Sequence, residues 1–205
     1  QGHLDEAEAN FREARRIFHG AGYRTGTAIL TSNLARVEAR RGNWEAAEEA
    51  FLGALAELEA VGADTYVFET SYFRAENFVF AGKHELAQPL LERLLRDLSD
   101  SAPPGVRAGL LRLLGYTLLR AGDPERARAN LEESLAAARQ AGAKFEIARS
   151  QRALHVWDMD QESSLHDPDS VDEYRRLFHE LGVVERPAID ASPQAVGAPP
   201  AAGRG

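Results

Sequence analysis

Apolar residues recur along this chain at helical spacing. Ala47, Phe51, Ala54 and Leu58 stand at i, i+4, i+7 and i+11, and Ala87, Leu91, Leu94 and Leu98 repeat the pattern. A stripe of that period is one face of an amphipathic helix. The segment before the first stripe, AILTSNLARVEARR, is also helical in composition and stops at Gly42, a residue that tolerates the positive φ of a helix C-terminus. Each unit therefore reads as a helix, a turn and a second helix. The pattern predicts helices at 3–20, 25–41, 43–60, 65–81, 83–98, 105–121, 124–141, 145–160 and 170–181.

Shifting the sequence against itself by forty residues aligns whole columns. Gly2, Gly42, Gly82 and Gly122 coincide, as do Ala7, Ala47, Ala87 and Ala127, and Phe11, Phe51, Leu91 and Leu131. A second glycine column runs through Gly22, Gly62, Gly142 and Gly182, interrupted at Ala102. One period shared by several columns signals an α-solenoid, in which each hairpin covers the apolar side of the next. The expected fold class is all-α, with an α-solenoid of helix–turn–helix repeats over 1–182 and a disordered tail over 183–205. The final unit is degenerate, with Glu162 and Asp167 in the glycine and alanine columns, although Ser170 and Glu173 form a capping-box pattern. The first helix reads as the second half of a hairpin in a piece of a longer polypeptide, so Ala7, Phe11, Ala14 and Phe18 are expected to be partly uncovered.

The order Ala35, Gly42, Ala47, Phe51, Ala54 resembles the tetratricopeptide repeat in a forty-residue version. HEAT repeats share the length and stand as the architectural alternative. Two positions depart from the pattern: Arg74 stands where Leu34, Leu114 and Leu154 suggest core, and His155 stands in the small-residue column of Ala35, Ala75 and Gly115. Residues 112–154 and 177–187 also resemble the C-terminal repeat region of bacterial signalling proteins that carry an upstream adenylate/guanylate cyclase domain and an NTPase domain. Similar repeats end STAND-type ATPase transcription regulators. The resemblance implies regulation of, or contact with, upstream domains, and it transfers no catalytic residue to this region.

Composition narrows the classes further. The chain has 205 residues and a formal charge of −8, which disfavours the counterion-displacing contacts of nonspecific nucleic-acid binding. It has no cysteine, so disulfides, thiol chemistry and cysteine-ligated metals are unavailable, and a cytoplasmic setting fits. The most apolar stretch, GLLRLLGYTLLRAG, is interrupted by Arg112 and Arg120, and no membrane segment is expected.

Motifs that carry chemistry are incomplete. GAGYRTG at 20–26 follows a helix, which is the wrong context for a dinucleotide loop. Gly82-Lys83 is followed by His84, where a phosphate-binding loop needs Ser or Thr. His84-Glu85-Leu86-Ala87-Gln88 lacks the second histidine of a zinc site, and the acidic run 158–170 lacks the glycine of a calcium loop. The expectation is a non-enzyme with no cofactor and no metal.

The remaining candidate is the surface lined by the first helix of each hairpin. Its predicted stripe passes Ser32 and Arg36, Tyr72 and Glu76, Arg112 and Tyr116, then Arg149 and Arg152. Tyr and Arg are frequent interface anchors, so this stripe is the expected site for a protein or peptide partner with an acidic segment. Arg112, Arg120, Arg149 and Arg152 are expected to gather there, with Arg112 and Arg152 facing solvent. The bland alternative is a hydrated face on which Arg36 pairs with Glu76. Two functional readings stand together: a partner-binding scaffold, and a sensor whose groove takes a peptide or small ligand.

Overall fold

The computed structural model describes residues 2–99, 102–103, 105–160 and 168–183. Helices account for nearly all of them: α1 (Gly2–Gly20), α2 (Arg24–Arg40), α3 (Trp44–Ala60), α4 (Asp64–Phe80), α5 (His84–Arg96), α6 (Val106–Arg120), α7 (Pro124–Gln140), α8 (Lys144–Asp160) and α9 (Pro168–Glu180). The class is an all-α solenoid of helical hairpins, divided into two compact units, 1–94 and 95–205. The expected disordered tail lies outside the described residues from 184 onward, as does the middle of the acidic run, 161–167.

Both units use one device to reverse the chain. Gly42, at φ +83°, donates its N–H to Ala39, while Asn43 donates to Glu38, which satisfies two carbonyls at the end of α2. This is the Schellman arrangement, and a side chain at that φ would be strained. The same pair of bonds closes α4 at Gly82 and Lys83, and α6 at Gly122 and Asp123. From Gly22 onward the forty-residue glycine columns are thus the helix ends themselves. Where the column reads Ala102, the turn conformation passes to Gly105, at φ +91°, and the connection is longer.

In the first unit, α2 packs on α1, α3 and α4, and α3 packs on α4. Ala47, Phe51, Ala54 and Leu58 are all buried, and Phe51 joins Ala35, Ala39 and Ala47 in one apolar cluster bordered by Trp44 and Phe73. The matching stripe on α1 is more open: Ala7, Phe11 and Ala14 are half-buried and Phe18 is 36% exposed, against 0% at Leu58. Arg74, the departure from the core pattern, donates from Nη2 and Nε to Glu48 on α3 at 2.6 and 2.8 Å, and its guanidinium lies 5.0 Å from the Phe78 ring. A bidentate partner and an aromatic face offset the burial of its charge.

In the second unit, α6 packs on α7 and α8, α7 on α8, and α8 on α9. Every residue of α6 from Ala108 to Leu119 is buried, the behaviour of a helix that is apolar on all sides. Gly115 sets its approach to α7, since a Cβ there would lie 2.6 Å from Leu131 Cδ2 and 3.2 Å from the Ala127 carbonyl oxygen. The buried hydroxyl of Ser134 donates to the Ala108 carbonyl or meets Ser150 Oγ, both at 2.7 Å. His155, the other departure, lies 5.9 Å from the Tyr174 ring, beside the cluster of Ala148, Val171, Leu177 and Phe178.

Candidate functional site

The two units divide the predicted stripe, and they treat its residues differently. In the first unit α2 and α4 are neighbours, which brings Arg36 to α4. Its guanidinium carbon sits 3.8 Å from the centroid of Phe73, and Nη1 lies 3.4 Å from Asn33 Oδ1. Burial holds the Arg36 pKa below its ordinary value; the charge of Glu76 opposes that shift, Arg40 adds to it, and Glu69 and Tyr72 oppose it. Tyr72 meets Phe73 edge-to-face with centroids 5.7 Å apart. Glu76 is buried, 3.6 Å from Arg40 Nη2. Ser32 is also buried, and among the described residues its Oγ has no hydrogen-bond partner.

Four predicted residues, Ser32, Arg36, Tyr72 and Glu76, therefore fall on two adjacent helices around an Arg-on-Phe stack. Arg36 and Tyr72 are half-buried and reachable, whereas Ser32 and Glu76 lie beneath the surface. Such a stack holds a cation in place over an apolar surface, and the guanidinium edge keeps donors for an incoming acceptor. The sequence reading did not include Phe73, although its signal was present: it follows Tyr72 and lies thirty-seven residues beyond Arg36, close to one repeat.

The second unit corrects one expectation. Arg112 does not face solvent: it is 1% exposed, and its Nε and Nη2 lie 3.3 and 3.2 Å from Glu146 Oε2 on α8. The reason is α6 itself, which presents no hydrated side between Ala108 and Leu119. Tyr116 is buried on the same helix, its ring 5.9 Å from the Arg112 guanidinium carbon. Arg149 is half-buried, with Nη1 3.4 Å from Glu146 Oε1 and its guanidinium 5.3 Å from the exposed Phe145 ring. Arg152 and Arg120 are half-buried. Glu146 thus collects two of the cations expected to form a free basic strip, and it was absent from the predicted set.

Other motifs resolve into local structure. The GAGYRTG segment is the turn at Gly22, φ +71°, followed by α2. Asp158, at the start of the acidic run, is buried and accepts from Arg128 Nη1 at 2.8 Å. Among the described residues, no cluster of three or more His, Asp or Glu side chains is arranged to hold a metal ion, and no helix is long and apolar enough to cross a membrane.

Known proteins place this architecture. A solved structure titled MamA MSR-1 C2 is similar, with a TM-score of 0.50 and 14% identity over 85% of this chain and 98% of that one, a likeness of fold. No curated protein matches the sequence. Residues 26–99 match one family model and residues 108–133 match another, each described as tetratricopeptide repeat. The chain carries tetratricopeptide repeats.

Proposed function

We propose that the chain is a non-catalytic scaffold that holds a protein partner on the α2/α4 face of its first unit. Tetratricopeptide repeats mediate protein–protein binding, and a partner-binding role follows from their presence at 26–99 and 108–133. The observation that selects this face is the Arg36 guanidinium held 3.8 Å above Phe73, with Tyr72 alongside. Rigid aromatic and guanidinium groups already in place lose little side-chain freedom on binding. An acidic side chain or a C-terminal carboxylate suits the remaining donors of Arg36. In the second unit, Arg149 and Arg152 remain candidates for such contacts, and Arg112 supports α8 through Glu146.

The wider setting is proposed from sequence resemblance: residues 112–154 and 177–187 resemble the C-terminal repeats of cyclase- and NTPase-bearing signalling proteins. There the scaffold would relay partner binding to upstream domains in a cytoplasmic protein.

A displayed library of random peptides, selected on the purified chain, tests the binding face. The expected outcome is enrichment of peptides with acidic residues whose affinity falls by about tenfold or more in Arg36→Ala and Tyr72→Ala, the loss typical of an interface anchor. Peptides that bind both variants as well as the parent chain would place recognition elsewhere, and no enrichment over bare matrix would remove the peptide-binding reading.

A further inference from the structure

The first unit contains a cleft of about 400 Å³ between the end of α1, the first half of α2 and the second half of α3. Its wall includes His19, Arg24, Thr27, Thr31, Gly53 and Glu57. Thr27 Oγ1 donates to the Tyr23 carbonyl at 2.9 Å, and Thr31 Oγ1 donates to the Thr27 carbonyl at 3.0 Å. Both hydroxyl protons are thereby committed, so each oxygen offers lone pairs. At the rim, Arg24 donates from Nε and Nη2 to one carboxylate oxygen of Glu57, Oε2, at 3.1 and 2.8 Å. Among the described residues the second oxygen, Oε1, takes no hydrogen bond. Both members of that pair are more than half exposed, so it restrains the cleft weakly.

Gly53 lines this cleft without a side chain to fill it. This glycine lies inside α3, where glycine is a poor helix former, and nothing stands within 4 Å of the position its Cβ would take. Packing explains Gly115 and Gly26, whose added Cβ atoms would meet neighbours at 2.6 and 2.5 Å. It does not explain Gly53. Forty and eighty residues further on, the equivalent positions carry Arg93 and Glu133.

We propose that this cleft is a binding site for a primary alkylammonium group. An ammonium has three N–H donors and no acceptor, which complements Glu57 Oε1 and the two threonine oxygens. Its alkyl stem suits the small apolar floor that Ala28, Ala54 and Gly53 provide. The net charge of −8 favours long-range approach of a cation, and the exposed Arg24, the cation already at the rim, is the group an ammonium would have to push toward solvent to share Glu57. The group has two sources, a free amine or the lysine side chain of a partner segment. The site is separate from the α2/α4 face and does not depend on it.

The test is amide-resolved NMR titration of the whole chain. One arm uses n-butylammonium chloride, with tetramethylammonium chloride at equal ionic strength as control; the other uses acetyl-Gly-Lys-Gly-amide against the same peptide with norleucine. Saturable shifts confined to residues near 22–31 and 53–57 are expected from at least one amine probe and from neither control. Glu57→Gln should weaken binding by about tenfold, the scale of one charge-assisted hydrogen bond, and Gly53→Leu should abolish it with helicity unchanged. If Gly53→Leu fails to fold, Glu57→Gln decides. Binding of the free amine alone identifies a small-molecule site, and binding of the lysine peptide identifies a partner side chain. Linear shifts matched by the controls, no shifts at all, or full affinity in Glu57→Gln overturns the proposal.

Discussion

Removing the carboxylate at Glu146 should unfold the second unit far more readily than removing the cation it meets. Arg112 is 1% exposed, and the Glu146 side chain is 14% exposed. In Glu146→Ala the guanidinium stays buried on α6 and keeps its other contacts, such as the Tyr116 ring, but loses the Glu146 carboxylate, a change of about 3 kcal/mol, the lower end of the cost of breaking a buried pair from one side. In Arg112→Met the stem volume is kept and the charge is gone, while Glu146 retains Arg149 at 3.4 Å and part of its hydration. That loss should be about 1.5 kcal/mol, the lower end of the range for hydrogen bonds to charged groups, because the Arg112 contacts with Glu146 are long at 3.3 and 3.2 Å. The double variant Arg112→Met with Glu146→Leu replaces both charges by apolar groups and should recover most of the Glu146→Ala deficit. The chain has two tryptophans, Trp44 in the first unit and Trp157 in the second, so urea unfolding in a Trp44→Phe background follows Trp157 fluorescence and reports the second unit. Equal destabilisation by the two single variants, or a Glu146→Ala loss below about 1 kcal/mol, the value of an exposed pair, would show that Glu146 is not what offsets the buried Arg112 charge and that the reasoning fails.

Two further outcomes follow from local geometry. Gly115→Ala gains about 1 kcal/mol of helix propensity but drives a methyl to within 2.6 Å of Leu131 Cδ2, an overpacking cost of about 1–3 kcal/mol, whereas Gly53→Ala has open space and takes the propensity gain alone. Denaturant midpoints should move in opposite directions, and a shift of the same sign in both would refute the close approach of α6 to α7. The Glu45 carboxyl is held below its ordinary range by a backbone N–H at the start of α3, then by the hydrogen bond and charge of Lys83. Its contribution to stability is therefore present above the ordinary carboxylate pKa and lost as pH falls through the lowered folded value. A carboxyl-carbon titration should show Lys83→Gln moving the Glu45 midpoint upward without reaching the ordinary range, and an unchanged midpoint would remove Lys83 from the account.

The repeat was legible because its clearest columns mark places where backbone geometry leaves few choices. Gly42 and Gly82 take positive φ at helix ends, and the small residues between them let helices approach, so a forty-residue comparison located most boundaries to within one residue. The end of α5 was less visible: it closes at Arg96 instead of 98, ahead of a connection that contains Pro103. A proline disfavours the helical conformation in the residue before it, and that influence did not fix where the preceding helix would stop. Pro89 inside α5 also passed unnoticed in a pattern that counts apolar positions and ignores missing donors.

Side-chain roles were harder to read, because the period fixes which residues share a face but says little about how much of that face stays wet. Positions 32, 72, 112 and 152 are equivalent, and only Arg112 sits in a run, AGLLRLLGYTLL, that is apolar on every side of the helix. That run was itself a sign that the arginine inside it needs an acid from another helix, and contacts of the Arg24–Glu57 and Arg41–Glu8 kind, thirty-three residues apart, point close to Glu146, thirty-four residues on. Glycine shows the limit most clearly. At helix ends its reason is conformational and repeats with the chain; inside helices the same residue means a tight contact at Gly26 and Gly115 and an open cleft at Gly53. The first meaning is periodic and can be read from one sequence. The other two differ only in what stands opposite the missing Cβ, which is set by neighbouring helices and becomes visible once they are packed.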